Sequence, residues 1–260
     1  MDEKGSLYFN YFDFSKPWVM DKTPLVLIHG LGANLEMWFP QIPDFAKYFP
    51  VITVDLPGCG QSEPLESKVT IEGIAIALYQ TIKMITTGKI NLLGISLGAM
   101  VALEYIGKHA EDVKKLILAS IPYNYPAEIM PILKQTMEQY QQMTMEEIAD
   151  LRIRNAFGKL ASKQMVQYLV DIVVKTPKEI YLDYAASTLD YDFSAHYPNI
   201  KAKTLIVSGE LDQAATPDSN RKIQAAIADS KSLILKDTGH ALSLENPVEM
   251  NRAVMDFLRD

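Results

Sequence analysis

Six short segments of this chain are apolar almost without a break: residues 25–28, 51–54, 90–94, 116–119, 204–207 and 233–235. A strand with one wet face alternates apolar and polar residues. A strand covered on both faces has no side left to be polar, and that is the condition of a parallel sheet sandwiched between helices. Between these runs lie amphipathic segments of helical length, about residues 34–47, 70–86, 97–109, 217–228 and 247–258. Such alternation predicts an α/β fold: a doubly wound, mostly parallel central sheet with helices on both faces. Residues 7–14, ahead of the first run, are expected to form antiparallel edge strands.

Helix starts are marked by their capping residues. Thr216-Pro217 puts a hydroxyl before a proline at the first helical position, and Asn246-Pro247-Val248-Glu249 does the same with an amide and adds a carboxylate three residues after the cap. The alternation stops between residues 121 and 197, where the chain reads as helical throughout. Thr144-Met145-Glu146-Glu147 and Thr176-Pro177-Lys178-Glu179 both fit a capping box there. A stretch that leaves one strand and returns to the next must lie over the carboxyl end of the sheet, where open parallel sheets bind ligands. The expected organisation is therefore a core of residues 1–120 and 198–260 with a helical lid at 121–197. The lid carries Tyr123, Tyr125, Tyr140, Tyr168, Tyr181, Tyr184, Tyr191 and Tyr197, with Met130, Met137, Met143, Met145 and Met165. Most of these are expected to pack the lid helices together, and a few to line an apolar pocket with hydroxyl handles. Arg152 and Arg154, two residues apart on a helix, point in different directions, and both are expected to face water.

The chain has 260 residues, 48% hydrophobic and 22% charged, which is ample for a single core. A net charge of −7 argues against a nucleic-acid partner, since phosphates demand a basic face. No apolar run reaches membrane-spanning length, and Met1 to Ser6 show no basic-then-apolar leader, so no membrane association and a cytoplasmic location are expected. Cys59 is the only cysteine and suits a reducing compartment. With four histidines lacking close spacing, it makes no metal motif, and neither a metal nor an organic cofactor is expected.

The chemistry centres on Gly94-Ile95-Ser96-Leu97-Gly98, which joins an apolar run to a helix. A serine at a tight strand-to-helix turn is held out toward substrate, and the flanking Gly94 and Gly98 leave room where side chains would collide. A serine hydroxyl needs a base. His240, in the loop after the last apolar run, can supply it. His109 at a helix end and His29 beside Gly30 read as structural, and His196, in the return from the lid, is expected at the surface. The base needs a carboxylate to fix its tautomer. Asp212 follows the run 204–207, one apolar run before the histidine, with Glu210 and Asp237 as rivals on position alone. Acyl transfer also needs oxyanion donors. The Leu97 N–H lies directly after the serine, and His29-Gly30-Leu31-Gly32 can turn a second N–H, that of Leu31, into the site.

These elements, together with Asp55-Leu56-Pro57-Gly58-Cys59-Gly60-Gln61-Ser62, Gly209-Glu210-Leu211-Asp212 and Gly239-His240, resemble the α/β-hydrolase superfamily in its small, lid-bearing bacterial type. The likeness spans nearly the whole chain. It implies Ser96 as nucleophile, His240 as base, Asp212 as acid, and the Leu31 and Leu97 N–H groups as oxyanion hole. Cys59 departs from the pattern, since relatives usually carry a larger residue there. The expected reaction is hydrolysis of a carboxylic ester or similar acyl bond in a small molecule with an apolar part. Cleavage of a carbon–carbon bond, a lactone or a thioester on the same triad is the first alternative, and a ligand sensor without turnover is the second.

Overall fold

A computed structural model of the chain describes residues 6–17, 19 and 21–260. Met1 to Gly5, where no leader was read, lie outside the described residues. Seven strands form one sheet: β1 (Phe9–Phe12), β2 (Leu25–Ile28), β3 (Val51–Val54), β4 (Ile90–Ile95), β5 (Val113–Ala119), β6 (Lys203–Gly209) and β7 (Ser230–Leu235), in the order β1-β3-β2-β4-β5-β6-β7. Only β1 runs antiparallel, pairing Phe9 with Val54 and Phe12 with Val51 at the edge. Residues 7–14 therefore supply one edge strand. The other neighbours are parallel, with Leu25 opposite both Val51 and Asn91.

The unbroken apolar runs divide between the two faces of the sheet. Val26, Ile28, Ile52, Val54, Leu92, Leu116 and Leu118 pack into one core. Their neighbours Leu25, Leu27, Val51, Leu93, Ile117 and Ala119 pack into the other. Each face has its own helices, so neither has a polar side.

The helices are α1 (Ile42–Phe45), α2 (Ile71–Ile85), α3 (Leu97–Lys108), α4 (Met130–Gln142), α5 (Met145–Ala156), α6 (Lys163–Val173), α7 (Lys178–Leu189), α8 (Pro217–Ala226), α9 (Leu242–Glu245) and α10 (Pro247–Arg259). The single helix expected over 34–47 is a 3-10 turn at Leu35–Trp38 followed by the one-turn α1. Pro40 and Pro43 lack the N–H groups a continuous helix there would use.

The Thr216 and Thr144 caps form as read, the latter as a full capping box with Glu147. Two others do not. Asn246 makes no side-chain cap and donates instead to the Thr238 hydroxyl. The Thr176 hydroxyl donates to the Gly32 carbonyl, leaving Pro177 at the N-cap of α7. Both side chains join the chain to a neighbouring loop rather than to their own helix.

Helices α4 to α7 and a 3-10 segment at Phe193–Asn199 fill the interval between β5 and β6. Among the described residues no helix is long and apolar enough to cross a membrane.

Candidate active site

The chain moves outward from β2 to β3 and then crosses back to β4 on the other side of β2. That reversal opens a crevice at the carboxyl ends of β2 and β4, where open sheets of this kind bind ligands. Ser96 alone makes the turn from β4 into α3, at φ 55° and ψ −118°. An L-residue in such a region stores about 1–3 kcal/mol of strain. The Ser96 N–H is anchored to the Ala119 carbonyl at 2.8 Å. The glycines on either side are sterically required. A Cβ on Gly94 would lie 2.2 Å from the Gly98 carbonyl oxygen, and one on Gly98 would lie 2.2 Å from that of Ile28.

Ser96, His240 and Asp212 form one hydrogen-bonded chain. His240 Nε2 is 2.9 Å from Ser96 Oγ, and Nδ1 is 2.8 Å from Asp212 Oδ2. An ionised carboxylate only accepts, so Nδ1 carries the proton and Nε2 is free to accept from the serine hydroxyl. Asp212 is buried, and its Oδ1 accepts from the Ala214 and Ala215 N–H groups at 2.9 and 2.8 Å. Burial alone would raise its pKa. The charge and hydrogen bond of His240, with those two amides, outweigh burial and hold it below the usual carboxylate value.

The rival carboxylates are occupied elsewhere. Glu210 accepts from the Asp237 N–H, and Asp237 pairs with Lys159 at 3.2 Å.

His29 is fully buried between two backbone groups, the Gly30 carbonyl at 2.8 Å and the Leu56 N–H at 2.9 Å. Burial pushes its pKa down to about 4, so it is neutral and shapes the loop. His109 ends α3 and stacks on Tyr79 at 3.7 Å. With Glu111 and Asp112 it groups three donor atoms, but Asp112 is already paired with Lys83 at 2.7 Å. His196, expected at the surface, is instead partly buried against Tyr191 and Glu104. Buried Cys59 has its thiol pushed up to about 12, chiefly by burial and then by Asp55, and it lines neither cavity described below. Asp55 is a bracket: its two oxygens accept from the Leu35 and Gln61 N–H groups and join two rim loops.

Leu31 and Leu97 flank Ser96 in the crevice, and among the described residues neither N–H finds an acceptor. Gly32 is needed for its conformation (φ +68°), and any Cβ there would strike the Tyr181 ring.

Two cavities meet at Ser96. One, about 590 Å³ including its open mouth, is lined mainly by apolar groups such as Met37, Ile153, Leu169 and Val173, with His240 at its edge. The other, about 600 Å³ on the same measure, is richer in hydroxyls: Tyr125, Thr136, Tyr140, Tyr181 and Thr188. Leu31, Ser96, Arg152 and Tyr181 line both.

Arg152 is the site residue that the sequence reading missed. It is solvent-accessible but projects into the crevice, while Arg154 faces water and pairs with Asp150 at 2.6 Å. The signal was present, because Arg152 lies one helical turn from Ile148 and Ala149 on the buried stripe of α5. Of the eight insertion tyrosines, Tyr125, Tyr140 and Tyr181 reach the cavities. Tyr123 stacks on Tyr197, and Tyr168, Tyr184 and Tyr191 bond to Glu36, Pro57 and Glu104.

The insertion is joined directly to the loop that bears His240. The His240 and Ala241 N–H groups both donate to the Ala156 carbonyl, at 2.6 and 3.0 Å. The buried Glu245 carboxylate accepts from Gly158 and Leu160 on one side and Gly239 on the other, at 2.9, 3.0 and 2.7 Å.

A mostly parallel sheet with a strained serine at the turn after β4 and an interval of helices between β5 and β6 defines the α/β-hydrolase class. The family model for the alpha/beta hydrolase fold matches residues 23–247, and the chain belongs to that family. It is 24% identical over 240 residues to (E)-2-((N-methylformamido)methylene)succinate hydrolase of Acinetobacter baylyi, covering 90% of each chain. Among solved structures it is similar to the enol-lactonase from Burkholderia xenovorans, with TM-score 0.84, 25% identity and 98% and 96% of the two chains covered. It also matches an esterase from Exiguobacterium antarcticum at TM-score 0.89 and 22% identity, covering 98% and 96%, a likeness of fold alone.

Proposed function

We propose that this protein is a serine hydrolase that cleaves a carboxylic ester, or a similar acyl bond, of a small molecule with an apolar part. The observation that carries the reading is the unbroken chain Asp212–His240–Ser96, with Asp212 on Nδ1 of the imidazole and Ser96 on Nε2. In this mechanism Ser96 Oγ attacks the carbonyl carbon while His240 Nε2 takes its proton. The Leu31 and Leu97 N–H groups stabilise the oxyanion. Asp212 stabilises the imidazolium, which then protonates the departing alkoxide and leaves an acyl-Ser96 ester. Water, deprotonated by the same imidazole, attacks that ester and releases the acid.

A lactone is the second reading. The same steps open a cyclic ester, and one structural relative is named an enol-lactonase.

The test is labelling with a serine-directed fluorophosphonate, followed by a panel of esters and lactones of graded acyl length. The expected result is one adduct per chain, at Ser96, with turnover of at least one panel member. Labelling with no turnover of any compound would move the reading to a ligand sensor. An adduct elsewhere, with turnover intact, would overturn the assignment of Ser96.

A further inference from the structure

Arg152 is out of place on its helix. The buried face of α5 carries Met145, Ile148, Ala149 and Ile153, and Arg152 falls on the same stripe. An arginine on such a face is ordinarily held by a carboxylate. Here no described carboxylate lies within ion-pair distance of it, although Arg154, two residues on, has Asp150. Its neighbours are phenols: Tyr181, Tyr140 and Tyr125 line the same cavity as the guanidinium. Burial raises the pKa of Tyr181 and of Tyr125, so these two are neutral donors and acceptors rather than counter-ions.

The position is informative as well. Among the described residues Arg152 is the only permanently charged side chain lining either cavity, and it lines both, as Ser96 does. A cation left unpaired within the crevice of a chain with net charge −7 is a site kept for an anion that arrives with the ligand. One guanidinium among neutral hydroxyls matches a single negative charge, and its planar fork matches a carboxylate through two parallel N–H···O bonds.

We propose that Arg152, with the Tyr181 hydroxyl, binds a carboxylate on the substrate, so that the protein hydrolyses acyl compounds carrying a free carboxylate a few bonds from the scissile carbonyl. This rests on Ser96 being the nucleophile. The carboxylate sits between Arg152 and the hydroxyl-rich cavity, and the apolar cavity takes the rest of the substrate.

The experiment compares monomethyl esters of the straight-chain dicarboxylic acids from succinate to pimelate with the corresponding dimethyl esters, in wild type, Arg152→Gln and Arg152→Lys. The wild type should favour one or more of the half-esters by roughly 10- to 100-fold in kcat/KM, the value of a charge-assisted pair. In Arg152→Gln that ratio should fall to near one through KM, and Arg152→Lys should keep part of it. A second arm does not need turnover. Calorimetry of the half-esters with Ser96→Ala should show binding that is lost in Ser96→Ala/Arg152→Gln. A wild type that prefers the neutral diesters, or equal binding by the two Ser96→Ala proteins, overturns the proposal. Failure of the nucleophile assignment is recognised separately, by Ser96→Ala turning over as wild type while the binding arm still responds to Arg152.

Discussion

At the rim of the sheet, the groups that face the crevice are held by backbone geometry. Ser96 is fixed by a strained turn between two required glycines, and Asp212 by two amide N–H groups. In the helical insertion, the groups that face the same crevice are side chains on helices: Arg152 on α5, Leu169 on α6 and Tyr181 on α7. These helices reach the rim through hydrogen bonds that include those of Ala156 with His240 and Ala241, of Gly158 and Leu160 with Glu245, and of Thr176 with Gly32. The contrast teaches a division of labour. On the mechanism proposed above, the bond-making groups would sit where packing resists displacement, and the groups that choose the ligand where a side chain can be exchanged without rebuilding the sheet.

Substitutions on the two sides test that division. The largest effect belongs to the rim. Asp212→Asn should lower kcat by about 10⁴-fold, because an amide in that place favours the wrong histidine tautomer, while the unfolding midpoint changes little. Steady-state kinetics on the best ester of the panel checks this, and a small effect would send the search back to Glu210 and Asp237.

Next comes the buried base of the rim. His29 takes a proton near pH 6.5 when unfolded but only near 4 when folded. The unfolded state binds more protons between these values, so stability falls as the pH drops from 6.5 towards 4, by about 3 kcal/mol from this group. Urea unfolding across that range should show the loss, and His29→Gln should flatten it.

The seam between the two regions is smaller in effect. Glu245→Gln turns one of the two oxygens that together accept three N–H groups into a donor and should cost about 1–3 kcal/mol of stability, with a lower kcat as the His240 loop loosens. Unchanged kcat at reduced stability would show that the seam is structural only. Smallest is a change confined to the insertion: Leu169→Ala should enlarge the apolar cavity and shift the preference between long and short acyl chains by roughly ten-fold. A comparable loss on every ester would contradict the division.

The same contrast explains what could be read beforehand. The sheet was legible because covered parallel strands leave an unmistakable run of apolar residues, and the site followed from residues at the ends of those runs. Ser96, Asp212 and His240 lie 116 and 28 residues apart along the chain, taken in order, yet each follows a strand at the same edge. The segment 34–47 misled because its apolar spacing suits a helix while Pro40 and Pro43 deny it the hydrogen bonds. The insertion was legible only as helices. Two faces of α5 to α7 are apolar for different reasons, one packing and one lining a cavity, and periodicity does not separate them. Arg152 therefore looked like a surface charge, though its spacing from Ile148 and Ala149 put it on the inner face.

The central claim is that Ser96 makes the covalent bond. Turnover of the best ester by Ser96→Ala, measured beside its melting temperature, tests it most directly. The account predicts a fall in kcat of roughly 10⁴- to 10⁶-fold with the melting temperature unchanged or raised, since the hydroxyl adds little to the fold. Hydrolysis of the same ester at the wild-type rate by a folded Ser96→Ala protein would contradict it.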